Sequence, residues 1–178
     1  AVVQADTNKT ITFERTNFVG NYTNMGWDGS STYGGAVYLN ETGKVIFESS
    51  TFDSNYVAMN GSCCSNEGGA ISARYNRDSL IIRNSKFRYN KVYKPSGNNG
   101  GEAEGGAIYI GEAYGDVVVT NSLFLGNTAE GSLQTYTNGS DSRSARGGAI
   151  RIELRRISNN NVYTFPYKSV ITNNTFVN

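Results

Sequence analysis

The 178 residues carry a formal charge of +1, with 16 basic residues scattered among 15 acidic ones, so there is no electrostatic footprint for nucleic acid or an anionic bilayer. The absence of His removes the commonest general base and the commonest metal ligand together, and no cofactor is implied. With 21 Gly, 12 Tyr and only 17% charged residues, the composition suits short strands joined by tight turns rather than helices.

In chain order, two motifs alternate: a β-rich run ending in Phe-x-x-Asn, then Gly-Gly-Ala followed by β-branched or aromatic residues. The first run goes from Ile11 through Phe18 to Asn21, and the first Gly-Gly-Ala begins at Gly34. The pattern returns as Val45 through Phe52 to Asn55, then Gly68, Leu80 through Phe87 to Asn90, Gly105, Val117 through Phe124 to Asn127, and Gly147. A last copy runs from Val170 through Phe176 and stops at Asn178. Successive Phe positions are 34, 35, 37 and 52 residues apart, a near-constant unit with variable loops. Self-similarity at such a period is the mark of a solenoid.

No run shows helical periodicity free of Gly and turn formers, and each unit supplies three short extended runs. The expected fold is all-β: a right-handed parallel β-helix of about five coils with three short strands per coil. It occupies residues 1–178 as one domain or as part of a longer solenoid. Stacking at ~4.8 Å sets Phe above Phe and Asn above Asn, where side-chain amides bond along the ladder. The Gly pair supplies positive φ or close approach at a corner, and Ala36, Ala70, Ala107 and Ala149 fill it.

The Gly-Gly-Ala-Ile element alternating with Phe-x-x-Asn resembles the repeat of the polymorphic membrane proteins of chlamydiae. Similar repeats occur in secreted β-helix proteins of microbes and algae. The resemblance spans nearly the whole chain and implies surface display and adhesion. Those membrane proteins carry a C-terminal transmembrane barrel, which is not among these residues.

Six Asn-x-Ser/Thr sequons occur, at Asn8, Asn21, Asn40, Asn60, Asn138 and Asn173. Asn8 precedes the first strand, Asn40 sits in the turn after Gly-Gly-Ala-Val-Tyr-Leu, and Asn60 and Asn138 lie in long loops, so these four are the expected glycan sites. Asn21 belongs to the Asn ladder and is expected to be buried, and Asn173 stays open. Cys63 and Cys64 are adjacent and alone in the chain. A disulfide of some kind is expected in an oxidising compartment, within the chain or to another chain, the alternative being two unpaired thiols, and zinc is not expected for want of further ligands.

Glu67 and Glu104 each precede a Gly-Gly-Ala, and Arg146 takes the same place one coil on. They read as a surface row in which Arg146 pairs with Glu104, the alternative being an active patch of a polysaccharide-degrading enzyme. Asp53 and Arg88 read as another cross-coil pair. Trp27, Tyr33 and Tyr136, on the loop edge, either grip a carbohydrate or cell-surface ligand or pack down over the strands. No catalytic, cofactor-binding or metal-ligating residue is assigned.

No apolar run approaches the roughly 18 to 20 residues that span a bilayer, so no membrane span is expected. Ala1 to Asn8 lack a signal-peptide layout, and an opening Ala reads as processed or truncated. Neither end of the repeat carries a cap, so end-to-end self-association is expected. The readings rank as an extracellular or cell-surface structural protein stacked into a fibre, then an adhesive or carbohydrate-binding module, then an enzyme.

Overall fold

The computed structural model describes residues 2–3, 9–24, 31–58, 64–94, 102–131, 145–154, 157–159, 162–164 and 167–178. These residues are all-β, without a helix, and form a parallel β-helix in which each strand pairs with its equivalent one repeat away. The chain visits five sheets in turn. The first holds Val2–Val3, Val37–Asn40, Ile71–Arg74, Ile108–Ala113 and Ile150–Leu154. The second holds Ile11–Glu14, Val45–Glu48, Leu80–Arg83, Val117–Thr120 and Ser169–Thr172. The third holds Asn17–Val19, Thr51–Asp53, Lys86–Arg88, Leu123–Leu125 and Thr175–Val177. The fourth holds Tyr22–Asn24, Tyr56–Ala58, Lys91–Tyr93 and Thr128–Glu130, and the fifth Thr32–Tyr33, Asn66–Glu67, Ala103–Glu104 and Ala145–Arg146.

Two expectations need correction. Each coil has five strand segments rather than three. The coil count is also slightly lower than five: about three turns have a neighbour on both sides, and the last described turn contributes to three of the sheets. Within the long final repeat, Ile157–Asn159 and Val162–Thr164 pair antiparallel, the one hairpin among the described residues.

The extra strand breaks come from corners that are built mostly by residues other than Gly and Pro. Arg15, Ser49, Asn84, Asn121 and Asn173 share one corner column at φ of 48 to 54°, between the second and third sheets. Ser54 and Tyr89, with Gly20 and Gly126, make a second column between the third and fourth sheets; Glu41 and Tyr75 follow strands of the first, and Glu112 lies within its Ile108–Ala113 strand, where the register shifts. A left-handed non-Gly residue costs roughly 1 to 2 kcal/mol. The corner backbone recovers this by staying in the inter-coil ladder: Ser49 N donates to Arg83 O and Asn84 N to Thr120 O, both at 3.1 Å.

At the Gly-Gly corner the two residues do different jobs. Gly68 sits at φ 64°, and a Cβ on Gly69 would run into the carbonyl oxygen of Gly106 in the next coil. The interior is a column of aromatic rings. Phe18, Phe52, Phe87, Phe124 and Phe176 stack in register with centroids 4.6 to 4.9 Å apart and planes within 12°. Around it pack Leu39, Val45, Ile71, Leu80, Ile82, Ile108, Ile110, Val117 and Val119, all inaccessible. Burying each side chain of this size contributes about 1.5 to 3 kcal/mol.

Two polar ladders seal the corners beside the Phe column. In one, Asn55 N and Nδ2 both donate to Asn90 Oδ1, at 3.0 and 2.9 Å, while Asn90 Nδ2 donates back to Phe52 O at 3.0 Å. Asn21 and Asn127 extend it in both directions. In the other, Ser50 N donates to Ser85 Oγ and Ser85 N to Ser122 Oγ, both at 3.1 Å, and Ser122 N to Asn174 Oδ1 at 2.8 Å.

Substitution at these positions separates the contributions. Gly69→Ala is expected to cost at least about 3 kcal/mol of unfolding free energy, whereas Gly20→Ala, with open space around it and φ 61°, costs about 1 to 2. Asn90→Leu leaves turn groups of two coils unpaired and is expected to cost about 1 to 3 kcal/mol. Urea denaturation of the three variants against the parent checks the order.

Candidate functional site

The concentration of buried charge lies at the Gly-Gly corner, where the fifth sheet turns into the first. Residues just before the Gly pair stack as Tyr33, Glu67, Glu104 and Arg146. Residues just after it stack as Tyr38, Ser72, Tyr109 and Arg151. Period-2 alternation points both columns away from the Phe core, and the corner brings them together.

Glu67 and Glu104 are 3% and 5% exposed, so this is no surface row. Arg74 Nε lies 3.6 Å from Glu67 Oε2, and an Arg74 terminal nitrogen donates to the Tyr33 hydroxyl at 2.9 Å. The Tyr33 ring stacks on Tyr38 at 4.7 Å, so Tyr33 packs down rather than projecting outward. Arg151 Nε lies 3.0 Å from Glu104 Oε1, and Arg151 also engages Glu153. Arg146 pairs with Glu102 at 2.6 Å, not with Glu104 as the spacing suggested, because Arg151 reaches Glu104 from across the corner. Glu67 Oε2, Ser72 Oγ and Arg74 Nε are buried without a hydrogen-bond partner.

Burial pushes the Glu67 carboxyl up to about 8, with Arg74 opposing and Glu104 and Glu153 reinforcing. Burial also pushes Glu104 up to about 7, reinforced by its hydrogen bond to Glu102 and opposed by Arg151. The Tyr109 hydroxyl is raised as well, first by burial and then by Glu67. Carboxyls that keep their protons near neutrality are the kind a general acid requires. Both carboxyls are buried, at 3% and 5% exposure.

Elsewhere the outer surface carries cross-coil ion pairs. Asp53 and Arg88 pair at 2.5 Å, as expected from their register. Glu48 engages Arg83, and its carboxyl is lowered first by the Asn84 amide and further by Arg83 and Ser49. On the fourth sheet Tyr22 stacks on Tyr56 at 5.2 Å, and Lys91 lies 5.0 Å from the centre of the Tyr93 ring.

Of the sequence-derived sites, Asn40 is half-buried at the end of its strand, next to Arg74 in register. Cys64 is disulfide-bonded at φ 72°. Asn8, Asn60, Asn138, Cys63, Trp27 and Tyr136 lie outside the described residues. Sequence reading missed Arg74 and Arg151, although alternation from Ile71 and Ile150 points both outward beside the Glu column. It also missed the Ser ladder, whose signal was present as Ser or Thr two residues before four of the stacked Phe.

No protein-family model, curated protein or solved structure matches the chain. No helix among the described residues is long and apolar enough to cross a membrane, and no group of three or more potential ligands is arranged there to hold a metal ion.

The buried carboxyls make stability pH-dependent with a definite sign. Their folded pKa values lie above the ordinary carboxylate range, so their stabilising contribution is full below about pH 4.5 and is lost as pH rises through 7 to 8. Stability is expected to fall by several kcal/mol between pH 5 and pH 9. Glu67→Gln should remove much of that slope and raise the melting temperature at pH 9, which thermal melts at the two pH values will measure.

Proposed function

We propose that the protein is an extracellular structural β-helix, a glycoprotein whose coils stack head to tail, copy on copy, into a surface fibre. The observation that supports this reading is the Phe column, in which each coil is stacked ring on ring onto the next. Its inner rings are inaccessible, while Phe176 is 53% exposed and core-facing Ile171, stacked on Val119, is 43% exposed. At the opposite end Phe13 and Phe18 are only partly buried, stacked on Phe47 and Phe52. A further coil laid on Phe176, from a second copy or from more of the same chain, would use the in-register chemistry that the interior uses between its own coils. The chlamydial-type repeat supports display at a surface.

An adhesive role is the second reading. It is favoured by exposed Tyr22 and Tyr89 and by the Tyr22–Tyr56 stack on the flank, where aromatic faces and edges suit a sugar or a protein partner. The buried state of Glu67 and Glu104 gives the enzymatic reading no accessible acid pair.

Electron microscopy of the native material is expected to reveal filaments with an axial repeat of about 20 to 24 Å, from four to five coils at ~4.8 Å each. Phe176→Asp should disperse them into monomers that keep a β-type circular dichroism spectrum, while Ser49→Lys, on an exposed corner, leaves them intact. Monomers throughout, in the parent protein at high concentration, would defeat the fibre reading.

A further inference from the structure

Three sequons have their acceptor Asn and their hydroxyl residue among the described residues, at Asn21, Asn40 and Asn173, and the fold treats them differently. Asn21 Nδ2 donates to Asn55 Oδ1 at 2.8 Å, and the Thr23 hydroxyl donates to Gly34 O at 3.0 Å. The equivalents of Asn21 in the inner coils, Asn55, Asn90 and Asn127, are buried, so this position is committed to the ladder. Asn40 is half-buried, and the hydroxyl of its sequon residue Thr42 is inaccessible and donates to Asn76 Oδ1.

Asn173 has the opposite environment. It is exposed at φ 54°, the fifth member of a corner column whose inner members Ser49, Asn84 and Asn121 are exposed as well. Those three are flanked by coils on both sides, so the exposure belongs to the corner and not to the last turn. The intervening Asn174 turns inward: its Oδ1 accepts from Ser122 N and its Nδ2 donates to Val119 O, both at 2.8 Å. Thr175, the hydroxyl residue of the sequon, is again exposed. Acceptor and hydroxyl face solvent on either side of a residue that anchors the turn. A sugar at Asn173 leaves along the flank, clear of the stacking direction and of the Phe column.

We infer that Asn173 is an N-glycosylation site of the exported protein, an assignment that rests on the extracellular reading above. The donor is a polyprenyl-diphosphate-linked oligosaccharide, handled by a membrane-bound transferase. Asn173 Nδ2 bonds to the anomeric carbon of the first sugar while that carbon's bond to the diphosphate oxygen breaks. The polyprenyl diphosphate leaves with the electron pair, and the amide gives up one proton to a base of the transferase.

The test is to produce the chain behind a secretion signal in a eukaryotic line. A Lys86→Thr variant made alongside completes a sequon at Asn84, on the same corner two coils inside. Intact mass and peptide mapping are expected to find a glycan at position 173, removed by peptide N-glycosidase with aspartate left in its place. Asn173→Gln should lose that one glycan with an unchanged circular dichroism spectrum, and position 21 should stay unmodified. An unmodified Asn173 beside a glycosylated Asn84 in the control variant overturns the assignment. Recovery of the native protein from the cell interior would instead defeat the extracellular reading, and the acceptor assay is independent of that result.

Discussion

Everything in this molecule follows from one constraint, the in-register stacking of parallel strands at ~4.8 Å. A residue in one coil has its equivalent directly above and below, so any side chain a corner tolerates must also tolerate copies of itself. Phe meets the demand with parallel ring stacks that also exclude water, and Asn meets it because its amide is donor and acceptor at once. Ser does so by donating its hydroxyl within its own coil and accepting the backbone N–H of the coil before. Non-Gly residues in the left-handed corners, such as Arg15, Ser49, Tyr75 and Tyr89, are held by backbone hydrogen bonds to the next coil.

The same rule makes the Gly-Gly corner unusual. Register places Glu67 directly over Glu104, a pairing that water would penalise little and burial penalises heavily. The corner answers with guanidiniums from across the turn, Arg74 and Arg151, and with protons retained near neutrality. Arg74 reaches Glu67 without a hydrogen bond, so its compensation is Coulombic and incomplete.

Most of the fold was legible because the repeat writes it down several times. Phe-x-x-Asn and Gly-Gly-Ala announced the parallel stacking of the coils, the Phe column and the Asn ladder. What stayed hidden were corners made by residues with no turn preference, such as Arg15, Tyr75 and Tyr89, which take positive φ through their neighbours in the stack and not through their own chemistry. That is why three extended runs were read where five segments exist. The candidate site was half legible. Glu67 and Glu104 stood out by position, but their burial and their partners depend on the angle between two sheets, which periodicity along one strand does not encode. The pairing of Arg146 with Glu102 rather than Glu104 has the same origin.

The Asn ladder has a direction. In each step the backbone N–H and the amide nitrogen of one coil point at the amide oxygen of the following coil, from Asn21 through Asn55 and Asn90 to Asn127. The amide dipoles are thus aligned head to tail along the axis, as peptide units are in a helix, and neighbouring bonds polarise one another. The solenoid acquires an electrical polarity that its near-zero net charge conceals. Two such columns brought together by like ends would set oxygen against oxygen or N–H against N–H, so the ladder rejects an inverted neighbour before any side chain on the flank is consulted.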